Sequence, residues 1–88
     1  MPTQRAVVQS PDGLHARPAA ALAQRVAAAG LPVSLARAGD DGMPVDAASM
    51  LAMMGLGLSR GDVVVLSSDA PDSAALLAEL GALIEATE

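Results

Sequence analysis

The sequence predicts an α+β fold in which a small, mostly antiparallel sheet of four strands is covered on one face by three helices. Three observations predict it. Short apolar runs with β-branched residues alternate with alanine- and leucine-rich runs in the order βαββαβα. Turn residues separate these runs, and no linker or repeat interrupts them. The 88 residues leave room for a single hydrophobic core, so we expect one domain spanning residues 1–88.

The first strand and the first helix lie on either side of a turn-rich stretch. Thr3–Val8 is a short run with β-branched residues that ends at the sequence QSPDG. Ala16–Ala29 is alanine-rich, and its larger apolar residues recur at helical spacing. Gly30 is placed to end this helix, and Pro32 prevents its continuation. The helical residues expected to face the core are Ala19, Leu22 and Val26.

Two further strands are predicted on either side of a hairpin turn. The stretch LPVSLARA, residues 31–38, places Val33 and Leu35 on one face of a strand. The sequence GDDG, Gly39–Gly42, has the composition of a hairpin turn. We therefore expect a short strand to follow near Met43–Val45.

The second half of the chain predicts a short helix, a strongly apolar strand and a final helix. The short helix starts at Asp46 or Ala47 and runs through Met54. Asp62–Ser68 is the most hydrophobic strand, so we expect it in the interior of the sheet. The final helix is predicted over residues 68–86, SDAPDSAALLAELGALIEA, and opens with acidic and serine capping candidates and a first-turn proline. Its apolar stripe is expected to comprise Leu76, Leu80, Leu83 and Ile84.

The composition excludes several kinds of site. With no cysteine and one histidine, the chain has no plausible ligand set for zinc, and we expect neither a metal nor a cofactor. A net charge of −5 without lysine or aromatic residues does not fit a nucleic-acid-binding surface. No run approaches the roughly 18 apolar residues of a membrane helix, so we expect a cytoplasmic protein without membrane insertion.

The one histidine, His15, stands directly before the predicted first helix. The first N–H groups of a helix have no intrahelical partner, and the helix dipole adds positive charge there, so Ala16 and Arg17 open a site suited to phosphate. The guanidinium of Arg17 can hold phosphoryl oxygens in a bidentate contact. A neutral imidazole is a nucleophile near pH 7, so His15 is a candidate phosphoryl acceptor.

Other interpretations of His15 remain open from the residues alone. A lone histidine without a carboxylate partner is equally typical of a surface turn. A hydrolase that uses His15 as its base is a weaker hypothesis, because the sequence offers no combination of nucleophile, base and orienting group.

Two stretches resemble a known family. GLHARPAA, Gly13–Ala20, resembles the phosphohistidine signature of the HPr phosphocarriers of the sugar phosphotransferase system, and SMLAMMGLGLSRGD, Ser49–Asp62, resembles the segment around that family's regulatory serine. The resemblance covers essentially the whole chain and implies an open-faced β-sandwich. It also implies phosphorylation of His15 on Nδ1, with Arg17 as the group that stabilises the phosphoryl charge, and it makes Ser49 a candidate regulatory phosphosite.

The resemblance further implies partners and a surface that binds them. The phosphoryl group would arrive from phospho-enzyme I and leave to the IIA components of sugar permeases, and an HPr kinase/phosphorylase would modify Ser49. The chain would be a monomeric carrier, not an enzyme with turnover of its own. Backbone N–H groups of Ala16 and Arg17 would bind the phosphate. Partners would contact the docking patch, which comprises Ala16, Ala20, Gln24, Met50, Leu51 and Met54.

Other interpretations remain open for the docking patch and for Ser49. Methionine and leucine at helical spacing face a core more often than a partner, and Met53 is the one that we expect to be buried. Ser49 is also placed to cap the short helix.

Three features depart from the family pattern. The carboxylate of Asp12 would oppose phosphoryl charge, and Ala48 stands where relatives often carry a basic residue. In the first helix, Gln24 and Ala27 stand where relatives usually have basic residues. A regulatory interaction module that uses the same surface is the alternative function.

Overall fold

The computed structural model describes residues 2–11, 13, 14, 16–39 and 43–86. Within these residues it contains four strands and three helices in the predicted order, which confirms the α+β class and the open-faced arrangement. The elements are β1 (Thr3–Val7), α1 (Ala16–Ala29), β2 (Ser34–Arg37), β3 (Val45–Asp46), α2 (Met50–Met54), β4 (Val63–Ser67) and α3 (Ala74–Glu85).

The strands form one sheet in the order β1-β4-β2-β3, and all three pairings are antiparallel. The apolar strand β4 lies in the interior, as its composition predicts. Its residues Val64 and Leu66 are fully buried and pair with Ala6 and Leu35 respectively. Because side chains alternate along a strand, these four residues face the same side of the sheet, and the helices cover that side.

The helices supply the other layer of the core. The α1 residues expected to face inwards, Ala19, Leu22 and Val26, are all buried. Gly30 ends α1 with φ +72, and its N–H donates to the carbonyl of Val26 at 3.2 Å. This conformation favours glycine, so the predicted stop is confirmed. None of the helices in the described part of the chain is long and apolar enough to cross a membrane.

The middle of the chain differs from the prediction. The third strand is the pair Val45–Asp46, not Met43–Val45, because Pro44 has no N–H to donate to a ladder. The predicted hairpin turn falls partly on residues 40–42, which lie outside the described residues. The second helix begins at Met50, later than predicted, because the Ser49 side chain caps it there.

The beginning of α3 also differs from the prediction. The helix starts at Ala74, so Pro71 lies in the preceding turn and not in the first helical turn. Ser73 occupies the N-cap position, but its Oγ donates to the carbonyl of Ala70 at 2.7 Å and caps no helical N–H.

The apolar stripe of α3 is corrected at two positions. Leu77, which the prediction omitted, is fully buried. Leu83, which it included, is 38% exposed and lines the cavity near the end of the helix. The predicted ends of β1 and β4 extend one residue too far.

Candidate functional site

The start of α1 is the centre of the candidate site. The helix begins at Ala16, as the prediction requires, and both Ala16 and Arg17 are exposed. No acidic residue lies in its first turn, so no residue of that turn offsets the positive end of the helix dipole. Pro18 is the third helical residue and lacks only an N–H that the first turn does not use. This end of the helix carries N–H groups without intrahelical partners and the exposed residue Arg17.

The structure describes Leu14 and Ala16, the residues on either side of His15, which is the predicted phosphorylation site. His15 and Asp12 are outside the described residues. On one side of His15, Leu14 is buried, with 6% of its surface exposed. On the other side, Ala16 is the first residue of α1. The structure therefore defines the chain on both sides of residue 15, although the role of His15 itself stays a prediction.

Gly13 and Leu58 hold the chain before His15 in place. The N–H of Gly13 donates to the carbonyl of Ser10 at 2.9 Å, and the N–H of Leu14 donates to the carbonyl of Leu58 at 3.2 Å. Gly13 has φ +74, and a Cβ atom there would lie 2.2 Å from the Leu58 oxygen. Only glycine fits this approach. Sequence reasoning missed this role, although Gly13 follows the turn-forming residues of QSPDG.

A cavity of 170 Å³ lies beside the start of α1. Most of its lining is apolar, and Arg17 contributes a charged side chain. Ser10 also lines it and is 4% exposed, and in the part of the chain that the structure describes the Ser10 Oγ has no hydrogen-bond partner. The remaining lining residues are Val8, Gly13, Leu14, Pro18, Ala21, Leu83, Ile84 and Ala86.

The docking patch is only partly exposed. Ala16 and Gln24 are exposed on α1, whereas Ala20 is half-buried. On α2, 76% of Leu51 and 37% of Met54 are exposed. Met50 is half-buried and packs against the core, which favours the alternative that it serves the fold. The burial of Met53 is confirmed, since none of its surface is exposed.

Ser49 caps α2. Its Oγ accepts a hydrogen bond from the N–H of Ala52 at 3.2 Å, and its backbone is extended, as the N-cap position requires. The capping interpretation is confirmed, and its role as a phosphosite stays a prediction. Among the described residues, no three His, Cys, Asp or Glu side chains form a group that could hold a metal ion.

Sequence comparison places this geometry in a family. The family model described as "PTS HPr component phosphorylation site" matches residues 2–86. The chain is 46% identical over 84 residues to a phosphocarrier protein HPr of Streptomyces coelicolor, with 96% of this chain and 88% of the relative covered. It is 39% identical over 77 residues to a phosphocarrier protein HPr of Haloferax volcanii, with 88% and 85% covered.

Structural comparison agrees. A crystal structure of HPr from Thermoanaerobacter tengcongensis superposes with a TM-score of 0.82 at 33% identity, covering 97% of this chain and 92% of that one. The sequence match and the structural match both cover nearly the whole chain, including the start of α1. The chain therefore belongs to the HPr family of phosphocarrier proteins of the phosphotransferase system.

Proposed function

We propose that this protein accepts a phosphoryl group on Nδ1 of His15 from phospho-enzyme I and passes it to the IIA components of sugar permeases. The observation that carries the proposal is the start of α1: Ala16 and Arg17 open the helix immediately after His15, and both are exposed. The protein would act in the cytoplasm as a monomeric carrier. It would itself be the phosphorylated intermediate, with no substrate turnover of its own.

The transfer is a displacement at phosphorus. The lone pair on Nδ1 of His15 attacks the phosphorus atom, a P–N bond forms, and the bond between phosphorus and enzyme I breaks with its electron pair returning to enzyme I. Negative charge on the phosphoryl oxygens faces the N–H groups of Ala16 and Arg17 and the Arg17 guanidinium. Transfer to a IIA component runs these steps in the opposite direction. The P–N bond on His15 must therefore be neither too weak to form nor too strong to break.

The docking patch supports a carrier that exchanges partners. Leu51 and Met54 are exposed on α2, and exposed Ala16 and Gln24 lie on α1, which contacts α2. A thioether side chain adapts to differently shaped surfaces. A small apolar patch without charged residues suits contacts that form and separate quickly.

Ser49 is the proposed regulatory phosphosite, for an HPr kinase/phosphorylase. A phosphate there would add about −1.5 to −2 charges directly before the exposed residues of α2. That charge would repel an acidic partner surface and disrupt apolar contacts with Leu51. Regulation would then require no refolding of the domain.

The test is phosphorylation by enzyme I and phosphoenolpyruvate, followed by intact-mass measurement. We expect one added phosphoryl group that is acid-labile, persists in Ser49→Ala and is lost in His15→Ala. Circular dichroism of His15→Ala provides the folding control. Absence of any mass gain with an enzyme I that phosphorylates a known carrier would contradict the proposal and favour the regulatory interaction module.

A further inference from the structure

A loop distant in sequence supports the chain that leads into His15. Residues 55–62, here called the 55–62 loop, connect α2 to β4. The carbonyl of Leu58 in this loop accepts the N–H of Leu14 at 3.2 Å. Gly13 packs against the same oxygen so closely that a Cβ atom there would be 2.2 Å away. The position of Leu58 therefore determines where residues 13 and 14 lie.

Arg37 on β2 holds the beginning of that loop. Its Nη2 donates to the carbonyl of Leu56 at 2.7 Å and lies 3.4 Å from the carbonyl of Gly57. These are the two residues directly before Leu58. They follow Gly55, the C-cap residue of α2. One guanidinium thus contacts two consecutive carbonyls at the point where the chain leaves the helix.

The same guanidinium also reaches the end of the loop. Nη1 of Arg37 lies 3.4 Å from Oδ2 of Asp62. That carboxylate oxygen accepts the N–H of Ser59 at 2.8 Å, and the N–H of Asp62 donates to the carbonyl of Ser59 at 3.0 Å. Arg37 and Asp62 therefore hold the residues on both sides of Leu58. Arg37 and Asp62 are both partly buried, which limits the competition from water.

We propose that Arg37 is a positioning residue for phosphoryl transfer: it fixes the 55–62 loop so that Leu58 holds Gly13 and Leu14, the residues that lead into His15. This inference rests on the function proposed above. Arg37 has no contact with the phosphoryl group in this account and acts through two backbone carbonyls and Leu58. A small displacement of reacting groups is costly, because misplacement by about 1 Å can slow a reaction by about 100-fold.

The chemistry of the contact explains why the residue is an arginine. A guanidinium is a planar group with five donors in fixed directions, so it can serve two carbonyls and a carboxylate together. The ammonium of a lysine carries the same charge but lacks the planar fork. Arg37→Lys should retain attraction to Asp62 while losing part of the contact with Leu56 and Gly57.

The experiment compares Arg37→Met with Arg25→Met. Both variants remove one arginine and change the net charge equally, but Arg25 contacts Glu79 on α3 and not the 55–62 loop. Two quantities are measured: the rate of transfer from phospho-enzyme I at saturation, and the hydrogen exchange of the Leu14 amide by NMR. In Arg37→Met we expect the rate to fall about 10-fold and the Leu14 amide to exchange faster, with Arg37→Lys intermediate in both. In Arg25→Met neither quantity changes.

Two results would overturn the proposal: equal rates and equal Leu14 exchange in Arg37→Met and Arg25→Met, or Arg37→Lys indistinguishable from wild type in both measurements. The lysine variant keeps the test valid if Arg37→Met does not fold. The exchange measurement needs no enzyme I. If the wild-type protein accepted no phosphate, the proposed function would fail, while faster Leu14 exchange in Arg37→Met would still establish that Arg37 holds the loop.

Discussion

Arg25 on α1 and Glu79 on α3 form an ion pair with two hydrogen bonds between the two helices. Nη2 of Arg25 lies 3.0 Å from Oε1 of Glu79, and Nε donates to Oε2. The hydrogen bond from Arg25 holds the pKa of Glu79 below its ordinary value, and the same contact raises the pKa of Arg25. Both side chains are well exposed, so solvent weakens the pair.

This pair predicts a small dependence of stability on pH. A carboxyl group with a lowered pKa in the folded state stabilises that state at neutral pH, and this contribution is lost as the pH falls through its pKa. Arg25 stays charged over the same range. We expect Glu79→Gln to be slightly less stable than wild type at pH 7, with the difference vanishing at strongly acidic pH and shrinking in 1 M salt. Urea unfolding at several pH values measures it, and a difference that grew on acidification would contradict the assignment.

Gly13→Ala should destabilise the domain more than the same change at Gly30. Both glycines have positive φ, at +74 and +72, which costs a residue with a side chain about 1–2 kcal/mol. A Cβ at Gly30 meets nothing within 4 Å, whereas at Gly13 it would lie 2.2 Å from the Leu58 oxygen. We therefore expect Gly13→Ala to lose at least about 2 kcal/mol in urea unfolding and to slow phosphoryl transfer. Equal losses at the two positions would show that the close approach is unimportant.

The fold was predictable from hydrophobic patterning wherever an element lies deep in the core. The α1 stripe buries the residues that its spacing predicts, and the most apolar strand, β4, lies in the interior of the sheet as its composition predicts. The prediction was wrong elsewhere: Pro44 shortens β3, and on α3 Leu83 is exposed beside a cavity whereas Leu77 is buried. Spacing along one helix cannot reveal which of its apolar residues a neighbouring element covers.

The sequence predicted only those parts of the site whose residues are close together in the chain. The motif GLHARPAA places Arg17 at the start of α1 from neighbouring residues alone. The contacts of Leu58 with Gly13 and Leu14 join segments that are far apart in the sequence, and the contacts of Arg37 with the 55–62 loop do the same. Apart from the Asp62 carboxylate, backbone carbonyls carry these contacts, and a carbonyl leaves no mark on residue identity.

Ser10→Ala should leave the protein as stable as wild type or make it more stable. Ser10 is buried, and within the described residues its Oγ has no hydrogen-bond partner, so removing it abolishes a desolvation cost of about 1–3 kcal/mol. Ser73→Ala is the matched control, because Ser73 is also buried but donates to the Ala70 carbonyl at 2.7 Å. That variant should lose about 1 kcal/mol in urea unfolding. A larger loss from Ser10→Ala than from Ser73→Ala would mean that Ser10 has a partner in solution.

Ser49→Ala should destabilise the domain by about 1 kcal/mol through the loss of the α2 cap. The Ser49 Oγ accepts the N–H of Ala52, and alanine offers no acceptor in its place. Ser49→Asp restores an acceptor and adds a charge beside Leu51. We expect Ser49→Asp to keep wild-type stability in urea unfolding but to transfer phosphate more slowly at low partner concentration. Wild-type transfer kinetics in Ser49→Asp would argue against charge-based regulation at this residue.

Arg17→Ala should slow phosphoryl transfer strongly while preserving the fold. Arg17 is exposed in the first turn of α1, so its removal should change the free energy of unfolding by less than about 0.5 kcal/mol. The helix end alone contributes about 0.3–2 kcal/mol to binding an anion, so the guanidinium has to supply a comparable share. Loss of one such group from a preorganised site typically costs about 100-fold in rate. Arg5→Ala, which removes an exposed arginine on β1, is the control for net charge. Rapid-quench transfer from phospho-enzyme I measures both variants, and equal rates would remove Arg17 from the mechanism.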